Sequence, residues 1–334
     1  MRGNDGLNEK ITQWACQYLS SHGYTLKSKL AENVLSTPWS DVVRFATSDG
    51  YIYLKHTPAL LALEAPVIQI LHDQFHARVP IVIAHNTELN CFLMKDAGRS
   101  LREILKQQFD VALFCRAIDQ FTLLQLATAD HVDIFLDIGV PDWRLNQLPD
   151  LYKELLSQKE ILIEDGLSAI EIRELETLFP KVSNLCKKLS DYSIRQTIVQ
   201  PDFNDNNTLI TDASQDITTI DLGEIVISHP FFSLVNCLHQ VKKHHGLTVE
   251  DDMYQRIMDA CLNNYMNLDT KKHLLDAFEI AQTLWGIYWA LANYRLRLAC
   301  DPAKFMSFQM HGRLRDSLKE FMTACTAQPN TKVK

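Results

Sequence analysis

The apolar positions of this chain change period twice. Residues 7–22 place Ile11, Trp14, Ala15 and Leu19 at helical spacing, which predicts an amphipathic helix. From Tyr24 the pattern becomes short and alternating. Tyr24–Val34, Asp41–Thr47 and Tyr51–Lys55 are rich in apolar and β-branched residues, and Ser48-Asp49-Gly50 is a tight-turn signal. The last two segments therefore predict a β-hairpin. Residues 59–75 return to helical spacing, with an interruption near Pro66. Val79–His85 and Asn90–Met94 predict two more strands around an Asn86-Thr87-Glu88 turn.

After Met94 the helical period dominates. Helices are predicted over Ser100–Lys106, Val111–Ala129, Leu151–Gln158, Ser168–Phe179 and Lys181–Leu189. Strand-like pieces return only at Gln196–Val199, Thr208–Thr211 and Ile217–Ile220, and Phe231–Ala324 is helical again. The tail Gln328–Lys334 is expected to fray. The pattern predicts an α+β chain with a sheet-rich part over 1–94 and a mainly helical part over 95–334.

Composition adds exclusions. Hydrophobic residues make up 46% and charged residues 22%, an ordinary globular balance. The net charge of −8 gives no general attraction to nucleic acid or to an anionic membrane, so any phosphate site must be local. The eight cysteines form no Cys-x-x-Cys pair, which fits scattered thiols in a reducing compartment. Met1-Arg2-Gly3-Asn4-Asp5-Gly6 carries no signal-type apolar run, and Leu60–Leu71 is broken by Glu64 and Pro66. A cytoplasmic protein without a membrane span is expected.

The sharpest chemical signal lies between the short late strands. Asp202 is followed by Asn207, and fourteen residues later Asp221 opens Asp221-Leu222-Gly223. Phosphoryl transfer asks a protein for positioning and charge neutralisation. One carboxylate can meet the attacking hydroxyl, while an amide oxygen and a second carboxylate offer magnesium the hard oxygens it prefers. Against this stands the habit of Asp and Asn to populate turns, which accounts for Asp205 and Asn206. Upstream, Lys55 ends an apolar strand and Glu64 sits on an otherwise apolar helix. In a kinase-like fold such a lysine binds nucleotide phosphates and is oriented by such a glutamate.

These residues, with the connection Cys91-Phe-Leu-Met-Lys-Asp-Ala-Gly98, resemble the aminoglycoside phosphotransferase/choline kinase family over nearly the whole length. The resemblance implies a two-lobe protein-kinase-like fold with a five-stranded N-lobe over 1–94 and a helical C-lobe over 95–334. It implies ATP or GTP with Mg2+ as cofactors and a small-molecule hydroxyl acceptor. Asp202 falls on the catalytic aspartate, Asn207 and Asp221 on the metal ligands, Lys55 on the phosphate lysine and Met94 near the adenine-binding connection. The family signature His-Gly-Asp-x-x-x-x-Asn departs here to Gln200-Pro201, and Asn204 stands where many members have histidine. The family's Gly-Asp-Pro-x-x-Asp-Leu becomes Ser228-His-Pro-Phe-Phe-Ser-Leu234. The expected phosphate loop, Val34–Ser40, holds no glycine; Ser36, Thr37 and Ser40 can still donate hydrogen bonds there.

In that family late C-lobe helices wall the acceptor pocket. Here Trp285, Tyr288 and Trp289 share one helix face and could stack on a sugar ring or hold an ammonium group, or simply pack as core. Arg295 and Arg297 are expected to be surface or interhelical charges. Aminoglycoside, choline-like amino alcohol and sugar acceptors all fit this skeleton. Two functions follow: a small-molecule kinase, or a nucleotide-binding pseudokinase acting as a regulatory module. His239, His244 and His245 lack the carboxylate or cysteine spacing of a zinc site.

Overall fold

The computed structural model describes residues 5–28, 30–212 and 214–326, with side chains from residue 9 onward. The tail expected to fray, Gln328–Lys334, lies outside the described residues. In chain order the first elements are α1 (Asp5–Ser21), β1 (Glu32–Thr37), β2 (Ser40–Thr47), β3 (Gly50–His56), α2 (Glu64–Phe75), β4 (Val82–Asn86), β5 (Cys91–Lys95) and β6 (Arg99–Ser100). There follow α3 (Leu101–Gln107), α4 (Val111–Thr128), α5 (Asp133–Asp137), α6 (Leu148–Ser157), α7 (Lys159–Glu164), α8 (Ala169–Thr177) and α9 (Phe179–Ser190). Next come β7 (Thr197–Val199), β8 (Thr208–Ile210), β9 (Ile217–Thr219) and β10 (Val226–Ser228). The chain closes with α10 (Phe231–His245), α11 (Asp252–Asn263), α12 (Lys271–Ala299), α13 (Pro302–Ser307) and α14 (Arg313–Thr326).

The chain forms two compact units. The first draws on residues 1–104, 206–224 and 299–308, and the second on 105–205, 225–298 and 309–334.

In the first unit five antiparallel strands stand in the order β1-β2-β3-β5-β4. Ile11, Ala15 and Leu19 of α1 pack with Phe45, Ile52, Leu54, Cys91 and Leu93 of the sheet into one apolar core, as the helical spacing predicts. The strand expected at Tyr24–Val34 forms later, at Glu32–Thr37; among the described residues before it, Leu26 alone bridges, to Thr47. The polar run after Leu26 breaks the alternation that would carry a strand. The expected helix over 59–75 is a short turn at Ala59–Leu61 followed by α2. Pro66 lies inside the first turn of α2, where the missing N–H has no partner to lose. A second sheet, β6-β8-β9, was only partly expected, since the two residues of β6 are too short to leave a pattern. Gly98, just before β6, has φ +108°, and a Cβ there would lie 2.1 Å from the Ile210 carbonyl oxygen. No other residue fits that approach.

The second unit is helical around the two-stranded sheet β7-β10. Asp110 caps α4 by accepting hydrogen bonds from the Ala112 and Leu113 N–H groups. Gln125 of α4 donates to the carbonyls of Ile198 and Pro230, and Thr128 bonds Thr197 at 2.8 Å. These bonds fix β7, and with it the loop that follows. The region 231–324 divides into α10 to α14. α10 stops at Gly246, which takes the left-handed conformation at φ 66°.

Candidate functional site

In the first unit, β3 and α2 place a lysine and a glutamate side by side in the interior. Lys55 is 5% exposed and Glu64 is 3% exposed. The Lys55 Nζ lies 2.6 Å from Glu64 Oε2 and 2.6 Å from Asp221 Oδ1. The Leu222 N–H donates to the other Glu64 oxygen at 3.2 Å. Burial alone would push the Lys55 ammonium towards neutrality, but Asp221 and Glu64 outweigh it and hold its pKa above the ordinary lysine value. Burial likewise pushes the Glu64 carboxyl up, and Lys55 pulls against it. The amine is thus a fixed cation held between two carboxylates.

Asp221 reaches this position by a turn. It follows β9 with φ 62°, in the left-handed region that aspartate tolerates better than most residues. Gly223 lets the turn close: a Cβ there would come 3.1 Å from the Leu61 carbonyl oxygen and 3.3 Å from Glu64 Oε2. Asn207 precedes β8, which pairs with β9 through Thr208 and Thr219. The Ile220 N–H donates to the Asn207 carbonyl at 3.0 Å, so Asn207 and Asp221 flank the same end of this hairpin. Asn207 is buried, whereas the Asp221 side chain keeps about a third of its surface exposed.

In the second unit, the segment Gln200–Asp205 is held from α4 and α10. Ser233 Oγ accepts from the Gln200 N–H at 3.0 Å and donates to the Gln200 carbonyl at 2.9 Å. Phe203 is buried and stacks on Phe121 of α4 with ring centroids 3.8 Å apart. The carboxylate of Asp202 accepts from Asn204 Nδ2 at 2.9 Å and from Asn236 Nδ2 at 3.3 Å, both on Oδ1. Asn204 also donates to the Asp202 carbonyl and Asn236 to the Phe203 carbonyl. Asp205 bonds His245 at 2.7 Å. Two carboxamides thus orient a half-buried carboxylate without adding charge to it.

The remaining expected positions are placed as follows. Ser36 lies on β1 and donates to Asp41 Oδ1 at 2.6 Å; Thr37 donates to the Ser40 carbonyl at 3.1 Å. The His56 hydrogen bond holds Asp41 below its ordinary pKa. Trp39 at the hairpin tip meets Phe308 edge-on. Met94 is half-buried on β5, paired with Tyr53 and Val82. Trp285 and Trp289 stack with centroids 5.3 Å apart, and His239 meets Trp285 edge-on. Tyr288 is fully buried against Trp143 and Phe232, so it has no surface to offer a ligand. Arg295 donates to the Ile225 carbonyl and Arg297 pairs with Glu164, leaving both in structural roles. Among the described residues no cluster of His, Cys, Asp and Glu has a metal-binding arrangement of three or more.

No family model and no curated protein matches the chain by sequence. Solved structures do match. Ethanolamine kinase from Plasmodium vivax aligns with a TM-score of 0.60 at 12% identity, covering 88% of this chain and 84% of its own. Amicoumacin kinase hAmiN, solved with AMP-PNP, Ca2+ and Ami, aligns at 0.59 with 14% identity and 96% coverage of both chains. The GDP complex of wild-type aminoglycoside 2'-phosphotransferase-IIIa aligns at 0.58 with 14% identity, covering 94% of this chain and 98% of that one. The fold is the two-lobe kinase-like fold.

Within this kinase-like fold several residues around the site were not legible in the sequence. Asn236 and His245 are silent as letters, because their partners lie 34 and 40 residues away. Ser233 was legible only as part of the departure Ser228–Leu234 from the family pattern; it leaves the α10 N-terminus uncapped, and both of its hydrogen bonds go to one backbone unit, that of Gln200. Asn204, conspicuous as a departure from the family signature, is a partner of Asp202.

Proposed function

We propose that the protein is a small-molecule kinase that transfers the γ-phosphoryl group of ATP or GTP to a hydroxyl acceptor, with Mg2+ as cofactor. The observation that carries this is the buried Lys55 ammonium at 2.6 Å from both Glu64 and Asp221. A cation fixed in this way has a constant position and charge, which a phosphate clamp requires. Asp202 takes the role of hydroxyl orienter and base. Asn204 and Asn236 both donate to its Oδ1 and fix the carboxylate plane towards the acceptor.

Asn207 and Asp221 supply the hard oxygens for magnesium, and their place at one end of the β8–β9 hairpin suits that donor set. The metal, when bound, neutralises charge developing on the transferred group. Met94 on β5 accompanies the nucleotide base, and Ser36 and Thr37 the phosphates. Trp289, half-buried and stacked on Trp285, offers the acceptor an aromatic face. The irregular spacing of the eight cysteines, none in a Cys-x-x-Cys pair, supports a cytoplasmic setting. No described helix is long and apolar enough to cross a membrane.

The test is a screen of hydroxyl acceptors by nucleoside diphosphate release, with Asp202→Ala as blank. Loss of a general base typically lowers turnover by about 10²–10⁴-fold. Undiminished turnover in the Asp202→Ala protein would overturn the assignment.

One observation favours a second reading, a nucleotide-binding pseudokinase. The Asp41 carboxylate sits on the glycine-free hairpin and takes up the Ser36 hydroxyl, adding negative charge where phosphates would approach. Magnesium-dependent thermal stabilisation by ATP, with neither hydrolysis nor transfer across the screen, would decide for that reading.

A further inference from the structure

His245 has no place in the chemistry above, yet it is joined to the segment that carries Asp202. Its Nε2 lies 2.7 Å from Asp205 Oδ2, with side-chain exposures of 5% for the histidine and 2% for the aspartate. The ring is seated against Phe109 at 4.8 Å and faces Phe114 at 6.4 Å between centroids. An aspartate buried to this degree needs strong hydrogen-bonding partners. Asp205 is three residues after Asp202 and two before Asn207.

His245 is also the last residue of α10, the helix that already grips this segment twice. Ser233 holds the backbone of Gln200, and Asn236 holds Asp202 and Phe203. The three grips fall at the start, middle and end of Gln200–Asp205. With Phe203 seated on Phe121 of α4, this one helix fixes both ends of the segment and its middle.

We propose that His245 is a positioning residue: through Asp205 it locks the end of the Gln200–Asp205 segment onto α10 and so fixes the direction of Asp202. This rests on the kinase reading for its effect on turnover, but the latch itself does not. Misplacement of a reacting group by about 1 Å can lower the rate by about 10²-fold. Ground-state binding of ATP should change little, since Lys55 and Glu64 lie on other elements.

The decisive variant is His245→Phe, which keeps an aromatic ring against Phe109 and removes the nitrogen. Two readouts are taken. The first is hydrogen exchange of the peptide spanning 200–210 in the full chain, which needs no substrate. Exchange there should speed up by about tenfold while the peptides of α12 stay unchanged. The second is steady-state kinetics with Mg·ATP and the acceptor found by the screen. The kcat should fall by about tenfold or more with KM for ATP within about twofold, and His245→Gln, which restores an N–H of similar reach, should recover most of it.

Unchanged exchange at 200–210 overturns the proposal whatever the protein phosphorylates. So does a uniform rise in exchange across the second unit, which would make His245 a general stability residue. Absence of any turnover in the wild-type chain overturns the kinase reading and leaves the exchange result to judge the latch. Should His245→Phe fail to fold, His245→Leu is measured in the same way against the same outcomes.

Discussion

Replacing Lys55 by methionine takes one ammonium away from two carboxylates that each lie 2.6 Å from it. Glu64 is 3% exposed and cannot turn to water. Breaking a buried pair in this way destabilises by about 3–5 kcal/mol, and urea unfolding of Lys55→Met should show a loss of that order. The paired change Lys55→Met/Glu64→Gln should recover part of it, because the stranded charge is gone. If the double variant is no more stable than the single one, the electrostatic account of this trio fails. Phe203→Ala should be as damaging for a different reason. It empties a fully buried site stacked on Phe121, a loss of about 3–5 kcal/mol by the same measurement. These two residues differ in legibility. Lys55 stood out only beside the Asp202, Asn207 and Asp221 set downstream, since a strand-end lysine alone reads as a solvated edge charge, whereas Phe203 reads as one more aromatic. The grips of Ser233, Asn236 and His245 were invisible for a geometric reason. A helix face meets a loop 33 to 40 residues earlier, and no local period encodes that meeting.

Elements were legible where they were long and one-sided. α4 was expected at Val111–Ala129 and forms at Val111–Thr128 because its apolar stripe and its Asp110 cap agree. Asp110→Ala should lower stability by about 1 kcal/mol, seen as a shift in the unfolding midpoint with an unchanged slope. Two short strands escaped, although β7, β8 and β9, of three residues each, were expected and formed. β6 has two residues and β10 three, and each exists only because a partner strand supplies its hydrogen bonds. Around β6 the backbone approach is so close that Gly98→Ala must displace the Ile210 carbonyl. That substitution should cost at least about 1–3 kcal/mol, through overpacking and a strained positive φ together. Slippage of β1 away from Tyr24–Val34 has a similar lesson. A strand follows the register its neighbour β2 accepts rather than the stretch with the most apolar letters.

Two histidines link the stability of the second unit to pH. Burial lowers the His229 pKa to about 3, and that of His239 to about 4, so both stay neutral in the folded protein. In the unfolded chain they protonate near the ordinary value of about 6.5. Between that value and their folded pKa the unfolded state binds more protons, so stability falls as pH falls. The slope approaches about 1.4 kcal/mol per pH unit for each histidine. Thermal unfolding at pH 7.5 and pH 5 should therefore show a lower midpoint at pH 5, and His229→Phe should flatten the difference. An equal or higher midpoint at pH 5 would refute this account. The kinase-like fold itself was legible because its chemical residues recur in a fixed order along the chain. The course of the chain was not, and it bears on biosynthesis. The first unit takes its last segment from residues 299–308, so the hairpin tip at Trp39 must wait for Phe308. Some 204 residues separate position 104 from position 308. At ribosomal speeds of about 5–20 residues per second that is a delay of about 10–40 s. For the first 117 residues of that stretch, about 6–23 s, β6 lacks β8 and β9, and Lys55 lacks Asp221. A fragment ending at residue 104 is accordingly an unfinished unit, one that calls for chaperone protection until the ribosome has delivered the rest.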